Sequence, residues 1–174
     1  GRLRAAVQAD WVRAQWSSPA QGLSLLEVGF LDLDRLGELQ LTPGDGSQTL
    51  ELPSMAVRLD GLQRGGEDLG KLAFELRSGG GILQADAISG EIAGLRLPAD
   101  QPGQLRWQQG EGGRSSLAAS LYFDNLGDTL QRFGYQNMIE TEAGHFDLAL
   151  EWPGAPQDFT LAAASGSVGV AIGE

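Results

Sequence analysis

The sequence predicts a mostly β, antiparallel fold with one short α-helix near residues 125–135. Apolar and polar residues alternate with period two along much of the chain, which is typical of strands that bury one face. The 26 glycines fall at turn-like places between these runs. Strands do not alternate with helices, and this disfavours a parallel α/β sheet. We therefore expect hairpins and meanders within a single β-rich unit, residues 1–174.

The first half of the chain supplies several strand-like runs. Leu3–Trp11 alternates along its whole length, whereas Leu23–Phe30 is apolar on both sides. Met55–Asp60 and Lys71–Arg77 alternate cleanly, and Ile82–Leu97 fits a longer, weaker strand pair. The polar residues of the cleanly alternating runs differ in sign, as expected for the solvated face of a sheet.

The second half adds a hairpin and three more strands. Leu105–Gln108 and Leu117–Phe123 resemble the two arms of a hairpin, with glycine-rich residues between them. A Pro-containing loop is expected just before it, at Leu97–Gly103. Alternation predicts the remaining strands at Phe146–Trp152, Phe159–Leu161 and Val168–Ile172.

The predicted helix lies between these strands. Leu126, Leu130 and Phe133 are spaced i, i+4, i+7, which gives one apolar stripe over Asn125–Tyr135. Asp124 or Asn125 would cap its N-terminus, and a glycine would end it. A turn or second short helix is predicted at Asp32–Leu36.

Composition excludes several classes of function. The formal net charge of −11 repels phosphate backbones, so we expect no nucleic-acid partner. The chain has no cysteine, which excludes thiolate catalysis, zinc–thiolate sites and disulfides. No apolar run reaches the ~18 residues of a membrane-spanning helix. Because the chain lacks an initiating Met and a signal peptide, we expect it to be a piece of a longer protein.

No residue pattern predicts a catalytic, metal or cofactor site. His145, the sole histidine, falls on the polar side of its strand beside Asp147, where a surface role is expected. The carboxylates, including Asp32, Asp34, Asp86 and Glu91, are interpreted as a solvated acidic face. Asp45–Glu51 matches a calcium loop only in part. Glycine runs precede strands rather than helices, so phosphate loops are not expected. We predict a non-enzyme without a cofactor.

The apolar strand faces admit two interpretations. They could form the ordinary core of a β-sandwich, or they could line a groove for lipid. Each buried methylene contributes about 0.8 kcal/mol, so ten along a groove would give roughly 8 kcal/mol before ordering costs. The predicted groove or core face comprises Met55, Val57, Leu59, Leu72, Phe74, Leu76, Leu117, Leu121, Phe123, Phe146, Leu148, Leu150, Phe159 and Leu161.

The four tryptophans could instead form sugar-stacking platforms, which would favour a carbohydrate-active β-protein. Trp107 and Trp152 alternate with leucines on one side of their strands, so core packing is the expected role for both.

Three segments resemble a known family. Leu69-Gly70-Lys71-Leu72 after a turn, the run Asp124–Gly134, and Leu150–Leu161 followed by Ser165–Val168 are similar to sequence patterns of AsmA-like proteins of the YhdP type. The last segment carries Trp152-Pro153-Gly154, the most telling of these matches. The resemblance covers roughly residues 50–174.

The resemblance implies a fold and a function. Such proteins are bridge-like lipid transporters of the Gram-negative envelope, with an inner-membrane helix and a long periplasmic β-groove. It implies a strongly curved, taco-like sheet that moves phospholipid between the inner and outer membranes and supports outer-membrane homeostasis. This chain would be a periplasmic piece near the C-terminal end. Its partners would be phospholipid acyl chains, neighbouring β-segments of the parent chain and envelope proteins. The alternative is a structural module of the envelope that pairs through sheet edges.

Overall fold

The computed structural model describes residues 3–38, 49, 51–132, 135, 136 and 142–173. These residues form one eleven-stranded sheet and two short α-helices. In chain order the elements are β1 (Leu3–Ala9), β2 (Val12–Ser18), β3 (Ser24–Asp32), α1 (Leu33–Glu38), β4 (Met55–Arg64), β5 (Glu67–Gly79), β6 (Ile82–Ile92), β7 (Leu95–Leu97), β8 (Gly103–Gln108), β9 (Arg114–Phe123), α2 (Leu126–Arg132), β10 (Gly144–Pro153), a 3-10 turn (Pro156–Asp158) and β11 (Ser165–Ile172).

The sheet is mostly antiparallel, as predicted, and its strands follow one another nearly in chain order. Neighbours run from β1 through β7 and then β9 to β11, and β8 pairs with β6 and β9. One pair differs from the expected hairpins, because β3 and β4 are parallel. Parallel neighbours need a crossover connection, and α1 follows β3 at the start of the chain segment between the two strands.

β7 and β8 together fill one strand position between β6 and β9. β7 pairs with the end of β6 at Gly90–Ile92, whereas β8 pairs with Ile82–Ile88. The interruption falls at residues 98–102, which begin and end with proline. Proline cannot donate a ladder hydrogen bond, so the predicted Pro-containing loop breaks the strand here.

Two glycines let the backbones of the paired strands β5 and β6 approach closely. Gly70 has φ of +125° and Gly90 has φ of +134°, both in the region that favours glycine. A Cβ on Gly70 would overlap the carbonyl oxygen of Glu91, and one on Gly90 would overlap that of Lys71. The glycine at position 70 in the family-like segment is therefore required by backbone approach between strands.

Both short helices begin at side-chain caps. The backbone N–H of Gly127 donates to Oδ1 of Asn125 over 2.8 Å, which confirms the predicted cap of α2. Asp34 N–H donates to Oδ1 of Asp32 over 3.0 Å at the start of α1. α2 occupies Leu126–Arg132, within the predicted range. Phe133 and Gly134 lie outside the described residues.

The strand predicted at Phe159–Leu161 was wrong. A 3-10 turn at Pro156–Asp158 precedes these residues, and a further turn follows, closed by hydrogen bonds from Ala163 and Ala164 N–H to the Thr160 carbonyl. Two apolar residues flanking one polar residue fit either a strand or a turn, and Pro156 starts the turn here. Most of the partial calcium-loop match, Asp45–Gln48, lies outside the described residues.

A small hydrophobic core lies at the end of the sheet that carries α1. Leu62, Leu69 and Ala93 are buried together, and Ala93 N–H donates to the Leu69 carbonyl over 2.6 Å. Five partly buried residues pack against them: Leu31, Leu33, Leu59, Leu72 and Ile92. Leu59 and Leu72 connect this cluster with the larger apolar face described next.

Candidate functional site: an apolar sheet face

Strand register gathers apolar side chains from most of the sheet onto one face. Directly paired residues of neighbouring strands project to the same side. One lateral row therefore joins eight strands: Ser24, Met55, Leu76, Ala85, Leu105, Leu117, Leu150 and Gly166. We call the side of the sheet that carries this row the apolar face.

Further rows extend the apolar face along the length of the strands. Phe74 pairs with Val57, which pairs with Leu26 of β3. On the other side, Leu121 pairs with Phe146, which pairs with Val170 of β11. The face therefore continues across the sheet without a change of side.

The structure brings together all the sequence-predicted groove residues that lie in strands. Met55, Val57 and Phe123 are buried. Those that are partly buried are Leu59, Leu72, Phe74, Leu76, Leu117, Leu121, Phe146, Leu148 and Leu150. Phe159 and Leu161 lie in the β10–β11 connection instead, 41% and 81% exposed. Most of the strand residues on this face therefore keep part of their surface exposed.

The prediction missed several members of the apolar face. Leu26 and Val28 of β3 belong to it through the parallel pairing with β4. Because β3 is apolar on both sides, alternation gave no signal for its inward residues. Trp16, Leu105 and Val168 belong to it as well, and here alternation of the flanking residues could have revealed them.

Phe123 and Trp152 stabilise the apolar face by ring contacts. The Phe123 and Phe146 rings lie 5.0 Å apart between centroids. Trp152 is 4% exposed and meets Phe159 edge-on at 5.1 Å. Its burial fits the expected core role and leaves no indole surface for a stacked sugar.

The opposite face is polar. A shallow cavity of about 490 Å³ opens there, lined in part by Gln84, Gln104, Arg106 and Glu151. Beside it, the side-chain amides of Gln84 and Gln104 both donate to Oδ1 of Asp86 over 2.7 Å. The contrast between the two faces makes the sheet amphipathic from β4 to β10.

The amide donors shift the ionisation of Asp86. The hydrogen bond from Gln104 lowers the pKa of the Asp86 carboxyl below its usual value. The bond from Gln84 acts the same way, burial opposes both, and the nearby Arg77 charge lowers the pKa further. Ionised Asp86 is therefore the form that the folded sheet prefers.

We expect this preference to give a small pH dependence of stability. The stabilisation by Asp86 is fully present above its unfolded pKa, about 3.9, and is lost as pH falls through the lower folded value. Urea denaturation should show that Asp86→Asn lowers the unfolding midpoint at pH 6. The difference from wild type should shrink as pH falls through the lowered pKa of the folded state. Asp100→Asn controls for the lost charge, and a pH-independent difference for Asp86→Asn would contradict the assignment.

The polar cluster around His145 lacks the geometry of nucleophilic catalysis. The Ser120 hydroxyl donates to Oδ1 of Asp147 over 2.6 Å, and His145 Nε2 lies 3.4 Å from Oδ2 of the same carboxylate. Asp147 thus stands between serine and imidazole, where a triad places the imidazole. His145 stacks on Tyr122 with centroids 5.1 Å apart, in agreement with a surface role.

Within the described residues, no group of three or more His, Asp or Glu side chains could hold a metal ion. No described helix is long and apolar enough to cross a membrane.

An open, mostly antiparallel sheet with one apolar and one polar face defines a class of β-proteins that present an extended apolar surface. Comparison with protein families makes the assignment specific. The chain belongs to the YhdP protein family, whose model matches residues 5–174. Neither the curated proteins nor the solved structures contain a match.

Proposed function

We propose that this chain is a non-enzymatic segment of a phospholipid conduit between the inner and outer membranes. Acyl chains lie on the apolar face and head groups stay in water. The observation that carries the proposal is the register, which keeps one side apolar from Leu26 through Phe74 and Leu148 to Val168. Membership of the YhdP family supports an envelope role. The parent protein would be periplasmic and anchored in the inner membrane.

Partial burial of the face suits transient binding. Each methylene that leaves water contributes about 0.8 kcal/mol, so ten contribute roughly 8 kcal/mol before ordering costs. The contacts are non-directional, so a chain can slide along the face while the area buried stays constant. A strongly curved sheet would increase that area by enclosing the lipid on both sides.

Native mass spectrometry with lipid extraction tests this proposal. The purified chain from a Gram-negative host should carry phospholipid that detergent displaces. A bare mass that persists after incubation with phospholipid would contradict it.

A structural module that pairs through sheet edges is the second candidate. The edge strands β1 and β11 are exposed along their whole length. Val168, Val170 and Ile172 are each 55% exposed on β11, which carries no charged side chain. Such an edge can accept a further strand. A chain without lipid that forms defined oligomers would favour this candidate.

A further inference from the structure

We propose that the β10–β11 loop, Gly154–Ala164, is a membrane-docking element that inserts Phe159 and Leu161 into the surface of a lipid bilayer. Leu161 is 81% exposed, and Phe159 is 41% exposed although its ring contacts that of Trp152 edge-on. Ala162 and Ala163 are exposed beside them. An exposed apolar patch at a loop tip marks an interaction site for a membrane or a partner. The inference rests on the proposed lipid function, because a lipid carrier must meet a bilayer.

The low charge of the loop favours binding to a bilayer through insertion of apolar side chains. Asp158 is the sole charged residue in Gly154–Ala164. Its Oδ2 accepts the Ala155 N–H over 2.8 Å, so the carboxylate is engaged within the loop. The net charge of −11 opposes attraction to anionic head groups. We therefore commit to a zwitterionic phospholipid surface, bound through side-chain insertion.

Several backbone N–H groups of the loop already donate hydrogen bonds to carbonyls within the loop. Asp158 N–H donates to the Ala155 carbonyl over 3.0 Å, and the Ala163 and Ala164 N–H groups donate to the Thr160 carbonyl over 3.2 and 3.0 Å. Unsatisfied backbone groups are costly in an apolar medium. Internal pairing lowers that cost at a bilayer, and it leaves fewer donors for a protein partner that binds through backbone pairing.

The loop is fixed to the end of the apolar face. Trp152 Nε1–H donates to the Ala155 carbonyl over 3.0 Å, and the Phe159 ring meets the Trp152 ring edge-on. The buried Ser115 hydroxyl donates to the Gly154 carbonyl over 2.8 Å. Trp152 pairs with Ser115 and shares the side of β10 that carries Leu150 and Leu148. An inserted Phe159 would therefore bring the bilayer to the point where the apolar face ends.

Single-cysteine labelling gives a direct test, because the chain has no cysteine of its own. An environment-sensitive fluorophore on Leu161→Cys should shift to the blue and gain at least about twofold in emission with phosphatidylcholine vesicles. The matched control is Asp128→Cys, at an exposed residue of α2, which follows the far end of β9 and should not respond. No response at position 161, or an equal response at both positions, would overturn the proposal.

Vesicle sedimentation supplies the second readout. Phe159→Asp and Leu161→Asp should each lower vesicle binding about tenfold or more, because insertion of that side chain is lost. Leu3→Asp, at an apolar residue of β1 that is 66% exposed, should bind as wild type. Binding should change little between low and high salt. Docking that appears only with anionic lipid, or only with an added protein, would overturn the bilayer assignment.

The lipid-conduit proposal and the docking inference can be contradicted independently of each other. Lipid that co-purifies with the loop variants, together with wild-type docking by those variants, would overturn only the docking inference. Docking that Leu161→Asp abolishes, in a chain that never carries lipid, would support the docking inference and contradict the conduit.

Discussion

Replacement of Phe74 or Leu148 by aspartate is expected to lower phospholipid binding by the folded chain about ten- to a hundredfold. Both side chains project from the apolar face near the middle of their strands, Phe74 on β5 and Leu148 on β10. A carboxylate placed against an acyl chain has no hydrogen-bond partner, which costs about 1–3 kcal/mol, and 1.4 kcal/mol corresponds to tenfold in affinity. Lipid phosphate per protein after purification, together with native mass spectra, measures the effect.

Matched controls lie one residue away on the polar face. Ala73→Asp and Ala149→Asp add the same charge to the same two strands but project to the opposite side. They should retain bound lipid. Because Phe74 and Leu148 are only partly buried, their variants should stay folded, which circular dichroism and gel filtration check. Wild-type lipid binding by both apolar-face variants would exclude this face as the lipid site.

The alternation of apolar and polar residues predicts which residues share a side of the sheet. The prediction succeeds because the strand register pairs apolar residues with apolar residues. Met55 and Leu76 were placed on one side from separate runs, and they are directly paired across β4 and β5. The same holds for Leu117 and Leu150 across β9 and β10. A period of two fixes which residues share a side, and an antiparallel pair keeps the two sides apart. Whether lipid occupies that side stays a prediction.

Two features could not be read from local pattern. The parallel pairing of β3 with β4 is a long-range arrangement, which alternation within a single strand does not report. The sequence predicts a strand at Phe159–Leu161 because these two apolar residues are two positions apart, a spacing that turns also allow. The hydroxyl of Thr160 accepts the Ala163 N–H over 3.2 Å, and this local bond competes with a strand.

Phe123→Ala is expected to lower the free energy of unfolding by about 3–5 kcal/mol. Phe123 is 1% exposed, and its ring lies 5.0 Å from that of Phe146. A Cβ built on Gly144 would lie 2.8 Å from Phe123 Cζ. The ring therefore occupies the space that a side chain at position 144 would need. Truncation to alanine leaves that space empty. Urea denaturation measures the loss, which is a large fraction of the roughly 5–15 kcal/mol typical of a domain.

Tyr122→Ala is the matched control for Phe123→Ala. Tyr122 precedes Phe123 on β9 but projects to the polar face, where it stacks on His145. It is partly exposed, so we expect a loss of about 0.5–1.5 kcal/mol. Equal losses for the two variants would mean that the apolar face is no better packed than the polar one. A large loss of unfolding free energy confined to Phe123→Ala would instead show that the packing of this ring holds β9 against β10. The partly buried residues beside it would then remain available for binding.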